Sequence, residues 1–222
     1  MVEADIDLLV FGAGGHAMIS QECATAYKHP MFLYKQGDVP SSCLQAMSEE
    51  IYSLEQWKSI CSQAFVAIGD NHIRAKVGER LKNAGFELVT LIHPHAIVSS
   101  TAEIADGVLV NAGAIVNAGA KLKTGCIVNS GAIVEHGCTV GAYAHLSPAA
   151  KLGGSTCIGQ KTWICIGATV IDGIHVGNES ILAAGSVLLG NLPDRVMAAG
   201  VPAKVKHQIK EAERSMKRSE GQ

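Results

Sequence analysis

Aromatic side chains are scarce in this chain of 222 residues: they make up 5% of it, whereas hydrophobic residues as a whole make up 48%. A core must therefore be built from aliphatic side chains and alanine rather than from rings. The formal net charge is only −2, which gives no indication of a nucleic-acid or anionic-membrane partner. No run of about 18 uncharged apolar residues occurs, so we expect no transmembrane helix.

Basic residues are missing from the first 15 positions, and we therefore expect no signal peptide. The seven cysteines are odd in number and lack the spacing of a disulfide framework, which predicts a reducing, cytoplasmic location. Cys126 and Cys138 occupy small-residue positions of the repeat described next, and we expect them to be structural thiols.

A strict six-residue period organises the chain between residues 104 and 188. The repeating aliphatic positions are Ile104, Val110, Val116, Leu122, Val128, Val134, Val140, Leu146, Leu152, Ile158, Ile164, Val170, Val176, Leu182 and Leu188. The residue four places later is usually small, and glycine and asparagine crowd the positions between. Because a helix would repeat every 3.6 residues and a strand every 2, this period predicts a hexapeptide β-solenoid of about five coils. Residues roughly 18 apart would then stack about 4.8 Å from one another.

The N-terminal part alternates between predicted strands and helices. Strands are predicted at 7–12, 31–35, 65–69 and 87–92, and helices ending at Tyr27 and spanning 54–63 and 73–83. This order predicts a Rossmann-like α/β region with a small parallel sheet and ligands at the carboxyl ends of its strands. Gly12, Gly14 and Ala17 match G-x-G-x-x-A between the first strand and helix, a spacing that lets backbone amides approach a phosphate. A merely tight βα turn is the alternative interpretation.

Irregular segments complete the chain. Residues 37–41 are predicted to form a loop, and residues 193–204 an extended segment that closes the solenoid. The charged tail is expected to be a frayed helix or disordered. These predictions divide the chain into residues 1–93, 94–207 and 208–222.

Two histidines stand out on the solenoid because their positions in the repeat predict that they point outward. His136 lies two residues after the inward Val134, and His145 lies five residues after the inward Val140. Asn129 is near His136 in the repeat and offers an amide that would orient an imidazole. An ordinary surface histidine is the alternative in each case.

Five segments occur in an order that resembles a known family: GAGGHA at 12–17, FVAIGDNHIR at 65–74, LIHPHAIVS at 91–99, VNSGAIVEHGCTVGAYAHLSPAAKLGG at 128–154 and GVPAK at 200–204. They are similar to the bacterial sugar acetyltransferases that include the bacillosamine-pathway and perosamine N-acetyltransferases and the sialic acid O-acetyltransferase NeuD. The resemblance spans nearly the whole chain. It implies a left-handed parallel β-helix, a homotrimer, and acetyl-CoA bound along the groove between two solenoids.

The resemblance also implies roles for particular residues. The catalytic residues would be His136, as the general base, and Asn129. The residues that bind the nucleotide sugar would be Gly14, Gly15, His16, Tyr34, Lys35, Gly69 and His72. The residues that bind acetyl-CoA would be His145, near the thioester, together with Gly154, Ile166 and Ala184. No metal and no tightly bound cofactor are expected, since acetyl-CoA is a co-substrate.

The chemistry suits these residue types. Acetyl-CoA is already activated, so no covalent enzyme intermediate is needed, and an imidazole, which titrates near neutral pH, can take the proton from an attacking amine. A backbone amide or another donor must then stabilise the tetrahedral oxyanion. Holding the two substrates together supplies much of the remaining rate enhancement.

The sequence departs from the family pattern at three places, one of which is His72, where some members have glutamate. Family members commonly carry an acidic residue directly after the catalytic histidine, whereas Gly137 follows His136 and Glu135 precedes it. Because neighbours in a strand point to opposite faces, Glu135 is not expected to replace that acid. Tyr34 and Lys35 stand where some members have an acidic pair that holds the nucleotide base, so UDP, dTDP and GDP all stay open.

We predict an acetyl-CoA-dependent N-acetyltransferase that acts on the 4-amino group of a nucleotide-linked 4-amino-4,6-dideoxyhexose for surface-glycan synthesis, as in a lipopolysaccharide O-antigen. O-acetylation of a sugar is the close alternative. A γ-class carbonic anhydrase would need three histidines around zinc, and His136, His145 and His175 fit that register poorly. A non-catalytic scaffold and a Cys138 nucleophile are the remaining alternatives. No nucleic-acid or membrane partner is expected.

Overall fold

The computed structural model describes residues 6–35, 46–48 and 52–210, which form an N-terminal α/β region followed by a solenoid. The α/β region contains a parallel five-stranded sheet of order β3-β2-β1-β4-β5. Its strands are β1 (Leu8–Phe11), β2 (Pro30–Tyr34), β3 (Ala46–Ser48), β4 (Gln63–Val66) and β5 (Glu87–Leu88), and its helices are α1 (Gly15–Cys23), α2 (Leu54–Ile60) and α3 (Asn71–Asn83). The predicted Rossmann-like parallel sheet is thus confirmed.

The helices begin where the sequence supplies caps. Ser53 and Gln56 form a reciprocal capping box at the start of α2, each side chain bonding to the other residue's backbone. The carboxylate of Asp70 caps α3 by accepting hydrogen bonds from two backbone N–H groups of the first turn, at 2.9 and 2.8 Å. Helix α1 has no side-chain cap, since Gly14 occupies its N-cap position.

The fourth predicted strand, residues 87–92, is divided between two sheets. Its first part, β5, pairs with β4, whereas the next strand, β6 (Leu91–Ile92), pairs with the solenoid. The hydrogen-bonding partner changes within three residues, because the N–H of Val89 donates to the carbonyl of Ala64 and that of Leu91 to the carbonyl of Val108. The α/β region therefore runs directly into the first coil.

Element ends differ from the sequence prediction in several places. Helix α1 ends at Cys23 rather than Tyr27, and α2 ends at Ile60 rather than at residue 63. The edge strand β3 is not anticipated by the sequence pattern. The predicted loop at 37–41 and residues 211–222 of the predicted tail lie outside the described residues.

The solenoid is a triangular prism of two-residue parallel strands, left-handed as predicted. Its strands after β6 are β7 (Ile97–Val98), β8 (Glu103–Ile104), β9 (Leu109–Val110), β10 (Ile115–Val116), β11 (Lys121–Leu122), β12 (Ile127–Val128), β13 (Ile133–Val134), β14 (Thr139–Val140), β15 (His145–Leu146), β16 (Lys151–Leu152), β17 (Cys157–Ile158), β18 (Trp163–Ile164), β19 (Thr169–Val170), β20 (His175–Val176), β21 (Ile181–Leu182) and β22 (Val187–Leu188). Every third strand belongs to the same sheet. We call the sheet that starts with β7 the first face, the sheet that starts with β8 the second face, and the sheet that starts with β6 the third face.

The six-residue period is present in both the core and the corners. The repeating aliphatic side chains from Val110 to Leu188 are buried inside the prism, and those of Val98 and Ile104 pack against them. Each coil turns at residues in the left-handed region, mostly glycines with φ from +64° to +70°. The hexapeptide fold predicted from the sequence is therefore confirmed.

A hairpin closes the far end of the solenoid. Its strands, β23 (Val196–Gly200) and β24 (Ala203–Gln208), are antiparallel, and β23 continues the third face beside β21. This corresponds to the extended closing segment that the sequence predicts.

The N-terminal region packs against the third face of the solenoid. Leu109 and Ile127 point out of the prism on that face, and both are buried in one cluster with Val10, Ala17 and Phe65 of the α/β region. This packing places the carboxyl ends of β1 and β4 beside the solenoid, where the candidate site lies.

Candidate active site

A cavity of about 1030 Å³ lies between the N-terminal region and the third face of the solenoid. All the residues predicted to bind the nucleotide sugar line it, and so do Asn129 and His145. Those predicted residues are Gly14, Gly15, His16, Tyr34, Lys35, Gly69 and His72. The structure brings them together in one cavity, and their binding role stays a prediction.

The turn between β1 and α1 brings backbone rather than side chains to the cavity. Gly12 has φ +126°, and a Cβ there would lie 2.6 Å from the carbonyl oxygen of Ala67, so the close approach to the next strand requires glycine. A Cβ at Gly14 or Gly15 would meet nothing within 4 Å, because the cavity lies beside them. The first amides of α1 and the positive end of its dipole therefore face a space that suits an anionic group such as phosphate.

His16 of α1 and His145 of β15 meet in the wall of the cavity. Their rings lie edge to face, with centroids 5.6 Å apart and planes at 76°. Burial, with a smaller contribution from the Arg74 cation, lowers the pKa of His16 to about 4. Burial, followed by the charges of Arg74 and His16, also lowers the pKa of His145 well below 6.5. Both imidazoles are therefore neutral near pH 7.

Trp163 holds the ring plane of His145. The two rings are stacked with centroids 6.0 Å apart and planes at 9°, and the indole Nε1 donates a hydrogen bond to the Oγ of Ser147 at 2.7 Å. His145 is only 7% exposed. The alternative of an ordinary surface histidine is therefore wrong for His145, because the N-terminal region covers the third face.

Two asparagines link the ring of His145 to helix α1 through a series of hydrogen bonds. The Nδ2 of Asn129 lies 3.1 Å from the Nε2 of His145, and the Nδ2 of Asn111 donates to the Oδ1 of Asn129 at 3.0 Å. The thiol of Cys23 donates to the Oδ1 of Asn111 at 3.2 Å. The sequence paired the amide of Asn129 with His136, whereas the structure pairs it with His145.

Arg74 of α3 joins the two sides of the cavity, and sequence reasoning missed it. It is 1% exposed, and its guanidinium donates to the carbonyl oxygens of Ile68 and Gly69, both at 2.9 Å. On the solenoid side it donates to the carbonyl oxygens of Gly125 at 2.9 Å and Tyr143 at 2.8 Å. Arg74 thus fastens the cavity wall to the corner that leads into β15.

His136 lies on a different side of the solenoid. Its corner joins the first and second faces and is therefore opposite the third face. The exposed imidazole lies over Gly154, one coil further, where a Cβ would be 2.6 Å from Cε1 of His136. The N–H of Gly154 donates to Oδ1 of Asp172 at 2.6 Å. Within one chain, His136 does not face the cavity.

The acid that follows the family's catalytic histidine has no direct substitute here. Gly137 is a left-handed corner residue with φ +67°, and the Oε2 of Glu135 accepts a hydrogen bond from the backbone N–H of His136 at 3.3 Å. Glu135 therefore bonds to the backbone rather than to the imidazole. Asp172 is the carboxylate that the repeat brings to the same corner, two coils beyond His136.

The residues predicted to bind acetyl-CoA are divided between two places. Gly154 shares the corner of His136, while Ile166 and Ala184 stack at the other edge of the first face. Ile166 is 57% exposed, and Ala184 is exposed as well. His145 is apart from these three, since it lines the cavity with the residues predicted for the nucleotide sugar.

The alternative chemistries find little support in the geometry. His175 lies on the second face and His145 on the third, so the histidines considered for zinc lie on different sides of the prism. The described residues include no group of three potential ligands close enough to hold a metal ion. Burial raises the pKa of the Cys138 thiol and raises that of Cys126 to about 12, which disfavours a thiolate nucleophile.

No helix within residues 6–35, 46–48 and 52–210 combines the length and the apolar character that a membrane span requires. The cysteines of this part of the chain are free thiols: Cys23, Cys61, Cys126, Cys138, Cys157 and Cys165. This agrees with the structural role expected of Cys126 and Cys138.

Residues 7–81 match the family described as the PglD N-terminal domain. Perosamine N-acetyltransferase from Caulobacter crescentus, solved as a histidine-to-asparagine variant with CoA and GDP-perosamine, is 34% identical, with a TM-score of 0.87 over 92% of this chain and 99% of that chain. The acetyltransferase domain of PglB from Neisseria gonorrhoeae is 37% identical, with a TM-score of 0.83 over 90% of this chain and 99% of that chain.

Matches to curated proteins are shorter. UDP-N-acetylbacillosamine N-acetyltransferase from Bacillus subtilis is 43% identical over 47 residues, which are 21% of this chain and 22% of that protein. The chain aligns with only 22% to 28% of the length of such curated relatives. The two solved structures, in contrast, are matched over almost their full length.

Proposed function

This chain belongs to the family of hexapeptide-repeat nucleotide-sugar acetyltransferases, and we propose that it transfers the acetyl group of acetyl-CoA to the 4-amino group of a nucleotide-linked 4-amino-4,6-dideoxyhexose. The product would be an acetamido sugar used in surface-glycan synthesis. Two relatives support this reaction: perosamine N-acetyltransferase binds CoA and GDP-perosamine, and the acetyltransferase domain of PglB binds acetyl coenzyme A.

The cavity beside the Gly14–His16 turn is the observation that carries the proposal. Its volume of about 1030 Å³ is at the upper end of the range for small-molecule sites. The start of α1 offers amides to phosphate oxygens, and Lys35 in the wall adds a positive charge. Tyr34, also in the wall, can stack on any nucleobase, so UDP-, dTDP- and GDP-linked sugars are all candidate substrates.

We assign the general base, His136, to the cavity of a neighbouring subunit in a homotrimer. The corner of His136 faces away from the cavity of its own chain. Apolar side chains near the first face support burial against a second copy, since Ile97 is 64% exposed and Leu189 is 55% exposed. Acetyl-CoA would lie between two solenoids, along Gly154, Ile166 and Ala184.

In the proposed reaction, the imidazole of His136 accepts a proton as the amine nitrogen attacks the thioester carbonyl carbon. A backbone N–H stabilises the negative charge that develops on the carbonyl oxygen. The carbon–sulfur bond then breaks, and the imidazolium returns its proton to the sulfur of the departing CoA. Asn129 acts through His145 rather than on the amine.

In this scheme, residues 1–93 hold the nucleotide sugar and residues 94–207 hold acetyl-CoA and the base. We propose a cytoplasmic location, which the free thiols of the described residues support. O-acetylation of a sugar hydroxyl is the alternative that the same arrangement would serve.

A thiol-release assay with acetyl-CoA and a panel of UDP-, dTDP- and GDP-linked 4-amino sugars tests the proposal. We expect turnover with at least one member of the panel. Failure with every amine acceptor would defeat the proposal, and turnover with sugar hydroxyls alone would favour O-acetylation.

The base is tested by His136→Asn. We expect kcat to fall by about 100- to 10,000-fold, while the Kd of the nucleotide sugar changes much less, because the residues predicted to bind it line the cavity of the other chain. His175→Asn is the matched control, since His175 is another exposed histidine of the solenoid. An unaltered kcat in His136→Asn would remove His136 from the mechanism.

A further inference from the structure

A line of buried side chains leads from the first helix to the ring of His145. It runs from the thiol of Cys23 to Asn111 at 3.2 Å, from Asn111 to Asn129 at 3.0 Å, and from Asn129 to His145 Nε2 at 3.1 Å. Asn111 is completely buried, and Asn129 is 5% exposed. The proposed acetyl transfer makes no use of Cys23 or Asn111.

The backbone decides which way the amide of Asn129 points. The N–H of Ser130 donates to the Oδ1 of Asn129 at 2.8 Å, and a backbone N–H can only be a donor. Asn111 donates to the same oxygen at 3.0 Å. The Oδ1 of Asn129 is therefore held on that side, and its Nδ2, which is only a donor, faces His145.

The orientation of Asn129 determines the tautomer of His145. Because Nδ2 of Asn129 donates, Nε2 of His145 must accept, and the single proton of the neutral ring lies on Nδ1. Protonation of Nε2 would set two donors against each other, so the asparagine also opposes the charged form. Stacking on Trp163 holds the ring plane and so fixes the direction of the Nδ1–H bond.

The Nδ1 atom of His145 is buried and makes no hydrogen bond with any described residue. The carbonyl of Gly69 faces the ring and raises the pKa of His145 as a backbone acceptor does, but the contact with Nδ1 does not have the geometry of a hydrogen bond. This carbonyl already accepts from Arg74 at 2.9 Å. A buried donor without a partner is costly, and this one belongs to a residue that lines the cavity.

We propose that Asn129 and Asn111 are positioning residues that hold His145 as the Nδ1–H tautomer, and that this N–H donates to an acceptor oxygen of the bound nucleotide sugar. The nucleotide sugar is the preferred ligand because His145 lies with His16, Tyr34 and Lys35 in one cavity, apart from Gly154 and Ile166. The identity of the ligand rests on the proposed function, whereas the tautomer rests on the hydrogen bonds alone.

The tautomer is read from the nitrogen chemical shifts of the histidine rings in ligand-free protein. We expect Nδ1 of His145 to be protonated and Nε2 to be unprotonated. Asn129→Asp removes the donor and offers Nε2 a carboxylate oxygen, so Nε2 should gain a proton. Cys23→Ala, which removes only the thiol at the far end, should leave the tautomer unchanged. A protonated Nε2 in the unaltered protein, or an unprotonated Nε2 in Asn129→Asp, would overturn the tautomer assignment.

The ligand is tested with two substitutions of His145 itself. An asparagine carries its N–H near the position of Nδ1, whereas a glutamine carries it further out, near the position of Nε2. We expect His145→Asn to bind the nucleotide sugar that supports turnover about tenfold more tightly than His145→Gln does, which is the contribution of one hydrogen bond. The two variants should bind acetyl-CoA equally well.

Equal affinities of the two variants for the nucleotide sugar would overturn the ligand assignment, and so would a difference that appears with acetyl-CoA instead. If the unaltered protein binds no nucleotide sugar, the proposed function fails together with this ligand. The chemical shifts of the ligand-free protein still decide the tautomer, so the two failures are distinguishable.

Discussion

The rings of His16 and His145 meet edge to face with centroids 5.6 Å apart, one on the first helix and the other on the solenoid. Both are buried beside the Arg74 cation, which lowers the pKa of each in addition to the effect of burial. This pair therefore joins the N-terminal region to the solenoid in the wall of the cavity. Its burial should make the free energy of unfolding depend on pH.

The free energy of unfolding should fall as the pH drops from 6.5 towards 4. The pKa of His16 is about 4 in the folded chain, against 6.5 for a free imidazole, so the unfolded chain takes up the proton first. The loss approaches about 1.4 kcal/mol per pH unit and reaches about 3 kcal/mol near pH 4 for this residue. Urea denaturation at pH 7, 6 and 5 measures it.

The variant His16→Gln isolates this contribution. It removes the imidazole, so the free energy of unfolding should depend less steeply on pH than in the unaltered protein. His145 acts in the same direction and keeps part of the slope. Identical slopes for the two proteins would contradict a neutral, buried His16.

Arg74→Met should destabilise the protein by about 3 kcal/mol or more, because it leaves buried carbonyl oxygens on both sides of the cavity without a donor. Lys76→Met is the matched control, since Lys76 lies exposed on the same helix, and its effect should stay within about 0.5 kcal/mol. Chemical denaturation compares the two.

A second measurement on Arg74→Met separates its charge from its hydrogen bonds. Removing the cation should raise the pKa of His16 and His145, which titration of the ring protons by NMR would detect. Unchanged histidine pKa values would show that Arg74 acts through its hydrogen bonds alone.

Gly154→Ala should displace His136 without unfolding the solenoid. The added Cβ would lie 2.6 Å from Cε1 and 2.7 Å from Nε2 of the ring, and the exposed ring can move aside. We expect kcat to fall at least about tenfold, because a misplaced base acts poorly. Gly190→Ala is the control at the same corner, where a Cβ meets nothing within 4 Å. Full activity in Gly154→Ala would argue against this position of the base.

Two inactive variants should restore activity when their subunits are mixed. His136→Asn lacks the base, and Gly14→Phe fills the cavity at a position where a Cβ has no neighbour within 4 Å. If base and cavity come from different subunits, co-expressed mixed trimers contain some complete sites. If the mixture is as inactive as either variant alone, the base and the cavity belong to the same chain, or they take no part in the reaction.

The sequence predicted the solenoid well because its signal is periodic and local. Each inward residue from Val110 to Leu188 is buried as the six-residue series requires. The predicted cavity residues were also brought together, since a strand–turn–helix unit brings Gly14, Gly15 and His16 to the end of β1 whatever follows. The boundary at residues 87–92 was less predictable, because this continuous apolar run contributes one strand to the N-terminal sheet and the next strand to the solenoid.

Burial on the outside of the prism could not be predicted from the period alone. His136 and His145 are both outward by position, yet one is exposed and the other is covered. Leu109 and Ile127 did indicate which face is covered, because both are apolar and point outward on the same face as His145. Arg74 gave no such signal, since a charged residue on a helix is normally exposed.

By itself, the sequence determined the prism, its corners and the parallel sheet, because these depend on residues close together in the chain and on repeat spacing. Only the tertiary structure decided that the N-terminal region covers the third face. That contact buries His145 and Arg74 and leaves the corner of His136 exposed. The physical reason is that the burial and the pKa of a side chain depend on which surfaces pack together. A local sequence pattern does not contain that information.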